Sequence, residues 1–241
     1  NGALLWSVDV TGQTGRSLPV GLRDGRVYVV RYTESQNDSL YALDVMTGSY
    51  LWTANVNVNL YITETGVFDS NGDFYVYGSG FKTYKLNPVN GQMIWQTNTV
   101  PMASGSAEMA IDNSTQKGYT LEVIGGISYL WAIDLNTGIK LYNHVVPDLQ
   151  PGGNVPQSAI MVGTSGVIYV QLTEDNIAAF KDAGTGLFLN WQTLISGNSA
   201  FPLMCVGADS SVYVPSGGSI LRLNPITGDT MNVSGPITQG G

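Results

Sequence analysis

The sequence predicts an all-β protein, a β-propeller of about five four-stranded blades whose ring is closed by the N-terminal strand. Three observations carry that prediction. Gly2, Gly48, Gly91, Gly138, Gly186 and Gly228 recur at intervals of 46, 43, 47, 48 and 42 residues, and self-similarity at such a period marks solenoids, propellers or arrays. Short β-rich runs keep step with the glycines at 27–30, 74–77, 118–121, 168–171 and 212–215, with a tyrosine at one fixed place: Tyr28, Tyr75, Tyr119, Tyr169 and Tyr213. Aromatic and β-branched residues in such runs favour strands. No segment of helical length spaces its apolar residues at three and four, so helix should be nearly absent.

The elements follow in order. Residues 3–10 form an unattached strand on which Leu4, Trp6, Val8 and Val10 alternate onto one face. Five repeat units come next, at 11–56, 57–100, 101–146, 147–195 and 196–235, all within a single domain over 1–241. In each unit a short apolar strand A, such as 160–163, leads through a turn such as Arg23-Asp24-Gly25 or Asp69-Ser70-Asn71-Gly72 into the tyrosine-bearing strand B. Strand C runs into a hairpin at 42–48, 85–91, 132–138 and 222–228, where Asp or Asn opens the turn through its side chain and Gly takes the positive φ that ends it.

Strand D then carries an aromatic four residues after the glycine, namely Trp6, Trp52, Trp95 and Tyr142, or five after it in the case of Trp191. The last strand D is poor, because Thr230, Asn232 and Ser234 stand where the opening strand has Leu4, Trp6 and Val8. We therefore expect residues 3–10 to pair beside 219–224 as the outer strand of the last blade, leaving 230–241 as a loose tail. Made between molecules, the same pairing would give oligomers.

Composition narrows the function. A hydrophobic fraction of 43% suffices for a buried core. Ten Lys and Arg against 18 Asp and Glu give a net charge of -8, the wrong sign for holding phosphate backbones, so nucleic acid is excluded as a partner. No stretch approaches the ~20 apolar residues of a transmembrane helix. The N-terminus has neither an initiator Met nor a charged-then-apolar leader, so the chain reads as processed or cut from something longer. A single cysteine, Cys205, forbids an internal disulfide and is expected to be a small buried hydrophobe.

The pattern A-x-D-x-x-T-G-x-x-x-W, matched in full over 42–52, resembles the tryptophan-docking repeat of the pyrroloquinoline-quinone-type propellers. That superfamily includes quinoprotein alcohol dehydrogenases and the non-enzymatic outer-membrane assembly lipoprotein of the BamB type. The resemblance covers essentially the whole chain and implies that Trp6, Trp52, Trp95 and Trp191 pack between neighbouring blades. Tyr142 and Asn232 depart from the pattern, so docking is expected to be looser there. Five units is fewer than the family's usual seven or eight.

The family's dehydrogenases carry adjacent cysteines, a Ca²⁺ ion and a catalytic Asp. One cysteine cannot supply that disulfide, and no segment reads as the metal-and-base constellation, so we expect no enzyme activity, no cofactor and no metal.

Other chemistry-bearing residues have simpler readings. His144, the only histidine, lies two places after Tyr142 on the same strand face and is expected to be structural. The run 69–73 places three oxygen-bearing side chains close together but lacks the Glu of a calcium loop, so it reads as a turn. Arg23 and Arg26 flank a turn and should be solvated. Asn37, Asn113 and Asn232 head glycosylation acceptor triplets.

In a propeller the innermost strands line a channel, and the strand D to A connections place Arg16, Glu64, Glu108, Gln157 and Asn198 near its mouth, where they could hydrogen-bond a ligand. The resulting expectation is an extracytoplasmic, non-catalytic module for a protein partner or for self-association through strand edges. The alternatives are a carbohydrate-binding lectin and a fragment of a larger quinoprotein-like enzyme.

Overall fold

The structure, a computed structural model, describes residues 3–8, 17–31, 39–54, 56, 66–78, 82–97, 103–104, 109–125, 127–146, 160–173, 176–195 and 204–236. Among the described residues the regular elements are all strands, gathered into five antiparallel sheets. Blade 1 is β1 (Ser17–Arg23), β2 (Arg26–Arg31), β3 (Ser39–Asp44) and β4 (Tyr50–Thr53). Blade 2 is β5 (Val67–Phe68), β6 (Phe74–Gly78), β7 (Lys82–Leu86) and β8 (Met93–Gln96). Blade 3 is built from β9 (Ala103–Ser104), β10 (Ala110–Asp112), β11 (Lys117–Ile124), β12 (Ile127–Asp134) and β13 (Lys140–Val146), with β9 and β10 both pairing with β11. Blade 4 is β14 (Ile160–Val162), β15 (Val167–Thr173), β16 (Asn176–Asp182) and β17 (Leu187–Leu194). Blade 5 is β18 (Cys205–Val206), β19 (Val212–Ser216), β20 (Ser219–Leu223) and β21 (Thr230–Val233). The fold is that of a β-propeller.

Register repeats as faithfully as sequence. Each blade has one cross-strand row running through its tyrosine. The rows are Gly21–Tyr28–Ala42–Trp52, Val67–Tyr75–Lys85–Trp95, Ala110–Tyr119–Ala132–Tyr142, Met161–Tyr169–Ala179–Trp191 and Cys205–Tyr213–Arg222–Asn232. One residue past the row, every pairing of third and fourth strands carries a register shift, as at Ala42/Leu43 and Arg222/Leu223. A bulge at that place increases local twist and re-aims the side chain that follows.

The chain divides into two compact units, one of residues 1–99 with 137–139, the other of 100–136 with 140–241. In the first, Tyr28, Val30, Leu40 and Ala42 of blade 1 share a core with Phe74, Val76, Tyr84 and Leu86 of blade 2. In the second, Tyr119, Leu121 and Leu130 meet Ile168, Val170 and Phe180, while Tyr169, Ile177 and Trp191 meet Val212, Val214 and Leu223. Within each unit, neighbouring blades bury a face against one another, which a lone sheet could not do.

The expected closing strand is corrected. Residues 3–8 belong to no sheet, and β21 itself occupies the place beside β20, with Leu221 opposite Val233, Arg222 opposite Asn232 and Leu223 opposite Thr230. Residues 230–233 are therefore not a loose tail. Locality explains the outcome. The Asn224 side chain accepts N–H bonds from Ile226 and Thr227, and Gly228 turns back at φ +77°, so β21 reaches β20 through a short hairpin. A strand from the far end of the chain must close a much longer loop, which costs ~3 kcal/mol more.

Candidate functional site

The tryptophans of the repeat are seated on glycines. An added Cβ would stand 2.6 Å from the Trp6 ring at Gly48, 2.4 Å from Trp52 at Gly91, 2.7 Å from Trp95 at Gly138 and 2.5 Å from Trp191 at Gly228. Each of these glycines has φ between +71° and +77°. The indole N–H groups of Trp6, Trp52 and Trp191 donate to the carbonyls of Val45, Pro88 and Pro225 at 2.8, 3.0 and 3.0 Å. The turn that the motif encodes is thus also the receptor for a ring from the repeat before it.

Tyr142 docks differently, and not loosely. Its hydroxyl donates to Asp182 Oδ1 at 2.5 Å, Lys117 Nζ bonds the same hydroxyl at 2.6 Å and Asp182 Oδ2 at 2.8 Å, and the Tyr119 hydroxyl donates to Oδ2 at 2.8 Å. Gly186, the corresponding glycine, has no ring from the preceding repeat against it; an added Cβ would meet only the Phe188 ring, at 3.6 Å. A buried ion pair with two phenols has replaced the indole wedge. Burial alone would raise the Asp182 carboxyl, but its bonds from Lys117, Tyr142, the Gly184 N–H and Tyr119 hold it below the usual carboxylate range. Burial alone would lower Lys117, but Asp182 and Tyr142 outweigh it and raise the ammonium. Burial and then the Asp182 bond push the Tyr119 phenol well above its ordinary value.

Blade 2 holds a related cluster, in which Asp69 Oδ1 accepts the N–H groups of Asn71 and Asp73 and Oδ2 accepts the Tyr75 hydroxyl at 2.8 Å. Lys85 lies 2.8 Å from Asp73. The run 69–73 is a turn, and its first carboxylate is occupied in forming it. Arg23 is not simply solvated: it donates to the carbonyls of Asp69 at 2.6 Å and Ser70 at 3.4 Å. His144 Nδ1 donates to the Leu187 carbonyl at 3.0 Å, with its ring edge-on to Phe180, which makes it structural. In β11 to β13 the Glu122–Lys140 pair lies beside Trp131, and Glu122 Oε2 is buried without a hydrogen-bond partner. Sequence reading missed Lys117, Asp182, Glu122 and Lys140, because their partners lie far off in the chain or on neighbouring strands.

Cys205 is exposed, which corrects the expectation of a buried hydrophobe; its apolar neighbours in sequence do not cover a two-residue strand. Asn113 is exposed in the turn between β10 and β11, and Asn232 on β21. Arg16, Asn37, Glu64, Glu108, Gln157 and Asn198 lie outside the described residues. Among the described residues no three His, Cys, Asp or Glu side chains gather as a metal site requires.

The outer strands remain. β4, β8, β17 and β21 contain no charged residue, β13 has only the ion-paired Lys140, and none of the five contains proline. Their exposed side chains include Tyr50 and Leu51, Met93 and Ile94, Leu141 and Val145, Phe188, Leu189 and Leu194, Met231 and Val233. An edge of this kind offers unpaired N–H and C=O groups without the charges that usually protect it.

Comparison with known proteins agrees with the architecture. The family model described as outer membrane protein assembly factor BamB matches residues 1–232. No curated protein matches the sequence. Among solved structures, BamB from Moraxella catarrhalis is 16% identical with a TM-score of 0.60, covering 88% of this chain and 61% of its own. A quinohemoprotein alcohol dehydrogenase from Pseudomonas putida is 14% identical at 0.61, covering 91% and 43%. A europium-containing methanol dehydrogenase is 12% identical at 0.65, covering 93% and 53%. The chain thus spans less than two thirds of each of these proteins.

Proposed function

The chain belongs to the family of outer membrane protein assembly factor BamB, and from that premise we propose that it is a non-catalytic propeller module that binds or scaffolds a protein partner outside the cytoplasm. The observation that carries the reading is the set of uncharged, apolar outer strands. A partner in extended conformation can add a strand to such an edge, taking affinity from main-chain hydrogen bonds and specificity from alternate side chains. β17 suits this best, with eight residues and exposed Phe188, Leu189 and Leu194. The described carboxylates, phenols and amines of the blade junctions are engaged with one another, which also favours binding over catalysis.

The family description names the outer membrane, which supports the extracytoplasmic setting. In a eukaryotic secretory route, exposed Asn113 and Asn232 are the glycan acceptors we assign.

Titration of the protein with a synthetic peptide of alternating apolar and polar residues tests the reading by calorimetry. We expect saturable binding that Phe188→Lys with Leu194→Lys abolishes while the melting temperature stays within a degree or two. Equal binding by wild type and variant, or none by wild type, overturns it.

A further inference from the structure

The turns that seat an indole on Gly48, Gly91, Gly138 and Gly228 share one geometry, but one of them is built from different chemistry. Ahead of Gly48, Gly138 and Gly228 stands a threonine, whose Oγ1 accepts the N–H of Ser49, Ile139 or Asp229 at 3.3, 3.4 and 3.3 Å respectively. In blade 2 the same post is held by Asn90, whose Oδ1 accepts the Gln92 N–H at 3.0 Å. The turn is kept, for Gly91 still donates to the Asn87 carbonyl at 2.9 Å and still carries the Trp52 ring. The result is an Asn-Gly peptide whose asparagine is exposed.

We infer that Asn90 is a site of spontaneous covalent modification, where this fold converts an asparagine to isoaspartate. The Gly91 nitrogen gives its proton to water or hydroxide and bonds to the side-chain carbon of Asn90, ammonia leaves, and a cyclic imide remains. Water then opens the imide, at the main-chain carbonyl to give isoaspartate or at the side-chain carbonyl to give aspartate. Overall a water enters and an ammonia departs. Negative charge develops on Oδ1 during the attack, and the Gln92 N–H already points at that oxygen, as an oxyanion donor must. Gly91 has no side chain to shield its nitrogen. Its N–H bond to the Asn87 carbonyl has to open before the proton can leave, so the rate should rise with pH.

Other asparagines lack one or another of these parts. Asn87 and Asn224 precede Pro88 and Pro225, whose nitrogens carry no proton, and Asn136 precedes the β-branched Thr137. Asn71-Gly72 is the counterpart with the right dipeptide, and Asn71 is also exposed. Its own N–H is bound by the Asp69 carboxylate at 2.9 Å, so a negative charge already stands beside it, and among the described residues no N–H is donated to its side chain. The two products at Asn90 differ in consequence. Isoaspartate inserts a methylene into the main chain directly ahead of the glycine that seats Trp52, whereas aspartate leaves the main chain unchanged and can still accept the Gln92 N–H. None of this depends on a partner of the module.

Peptide mapping of folded and urea-unfolded protein, aged side by side at mildly alkaline pH, tests the inference. In the folded protein we expect the Asn90 peptide to exchange its amide for a carboxyl about tenfold faster than the Asn71 peptide, a conservative share of what one oxyanion donor supplies. In urea the two rates should converge. Asn90→Thr, which carries the residue of the other turns, and Asn90→Asp, which carries the charge without the added methylene, should both melt as fresh wild type does. The isoaspartate form, isolated by ion exchange, should melt lower by about 4 °C or more. No modification of Asn90 in the folded protein, equal rates at Asn90 and Asn71 there, or the same ratio of rates in urea overturns the inference. An isoaspartate form that melts with wild type overturns the loss of the Trp52 seat.

Discussion

A glycine at φ +71° with an indole resting on it does two jobs that can be separated by mutation. At Gly91 an alanine meets both the left-handed backbone and the Trp52 ring, whose nearest atom would be 2.4 Å away. At Gly25, with φ +74°, nothing lies within 4 Å of the added Cβ, and at Gly186 the only neighbour is Phe188 at 3.6 Å. We expect Gly25→Ala to cost about 1–2 kcal/mol, the backbone penalty alone, Gly186→Ala to be near neutral, and Gly91→Ala to cost well beyond Gly25→Ala. Urea midpoints of the three variants check the order; equal losses at Gly25 and Gly91 would mean that the ring does not press on its seat. Trp191→Ala, a large truncation at an 8% exposed site, should cost about 3–5 kcal/mol.

The element that departs from the repeat is the junction of β13 with the end of β16. Its stability rests on Lys117, Asp182, Tyr119 and Tyr142 instead of an indole. Tyr142→Phe removes a hydrogen bond to a charged group and should cost about 1.5–3 kcal/mol. The pH dependence has a definite sign. Asp182 is held below its unfolded value, so its contribution is present above ~pH 4 and is lost as pH falls through the folded value. Lys117 is raised, so its contribution is complete below ~pH 10 and is lost as pH rises through the folded value. The stability difference between wild type and Lys117→Met should therefore be flat from about pH 5 to 9 and shrink on both sides. A difference that varies across the neutral range would contradict the ion-pair account.

At the scale of the whole molecule, the proposed role is binding, and among the described residues no three His, Cys, Asp or Glu side chains gather. We accordingly expect neither a chelator nor added pyrroloquinoline quinone to move the melting temperature. A calorimetric binding signal for the quinone would reverse that assignment.

The sequence by itself determined the number of blades, the tyrosine row and the turns that join third and fourth strands. These features repeat at a fixed period, and each depends on residues within one hairpin, such as Asp44 accepting the N–H groups of Met46 and Thr47 ahead of Gly48. It misjudged the fourth strand of blade 5, where apolar character favoured residues 3–10 but a short hairpin loop favoured β21. It was silent on Lys117 and Asp182, 65 residues apart, and on Glu122 and Lys140, because no local pattern marks a charge whose partner comes from another strand or blade. Those pairings were decided only by the tertiary structure, since a buried charge is tolerable solely where packing brings its counter-charge within hydrogen-bond reach.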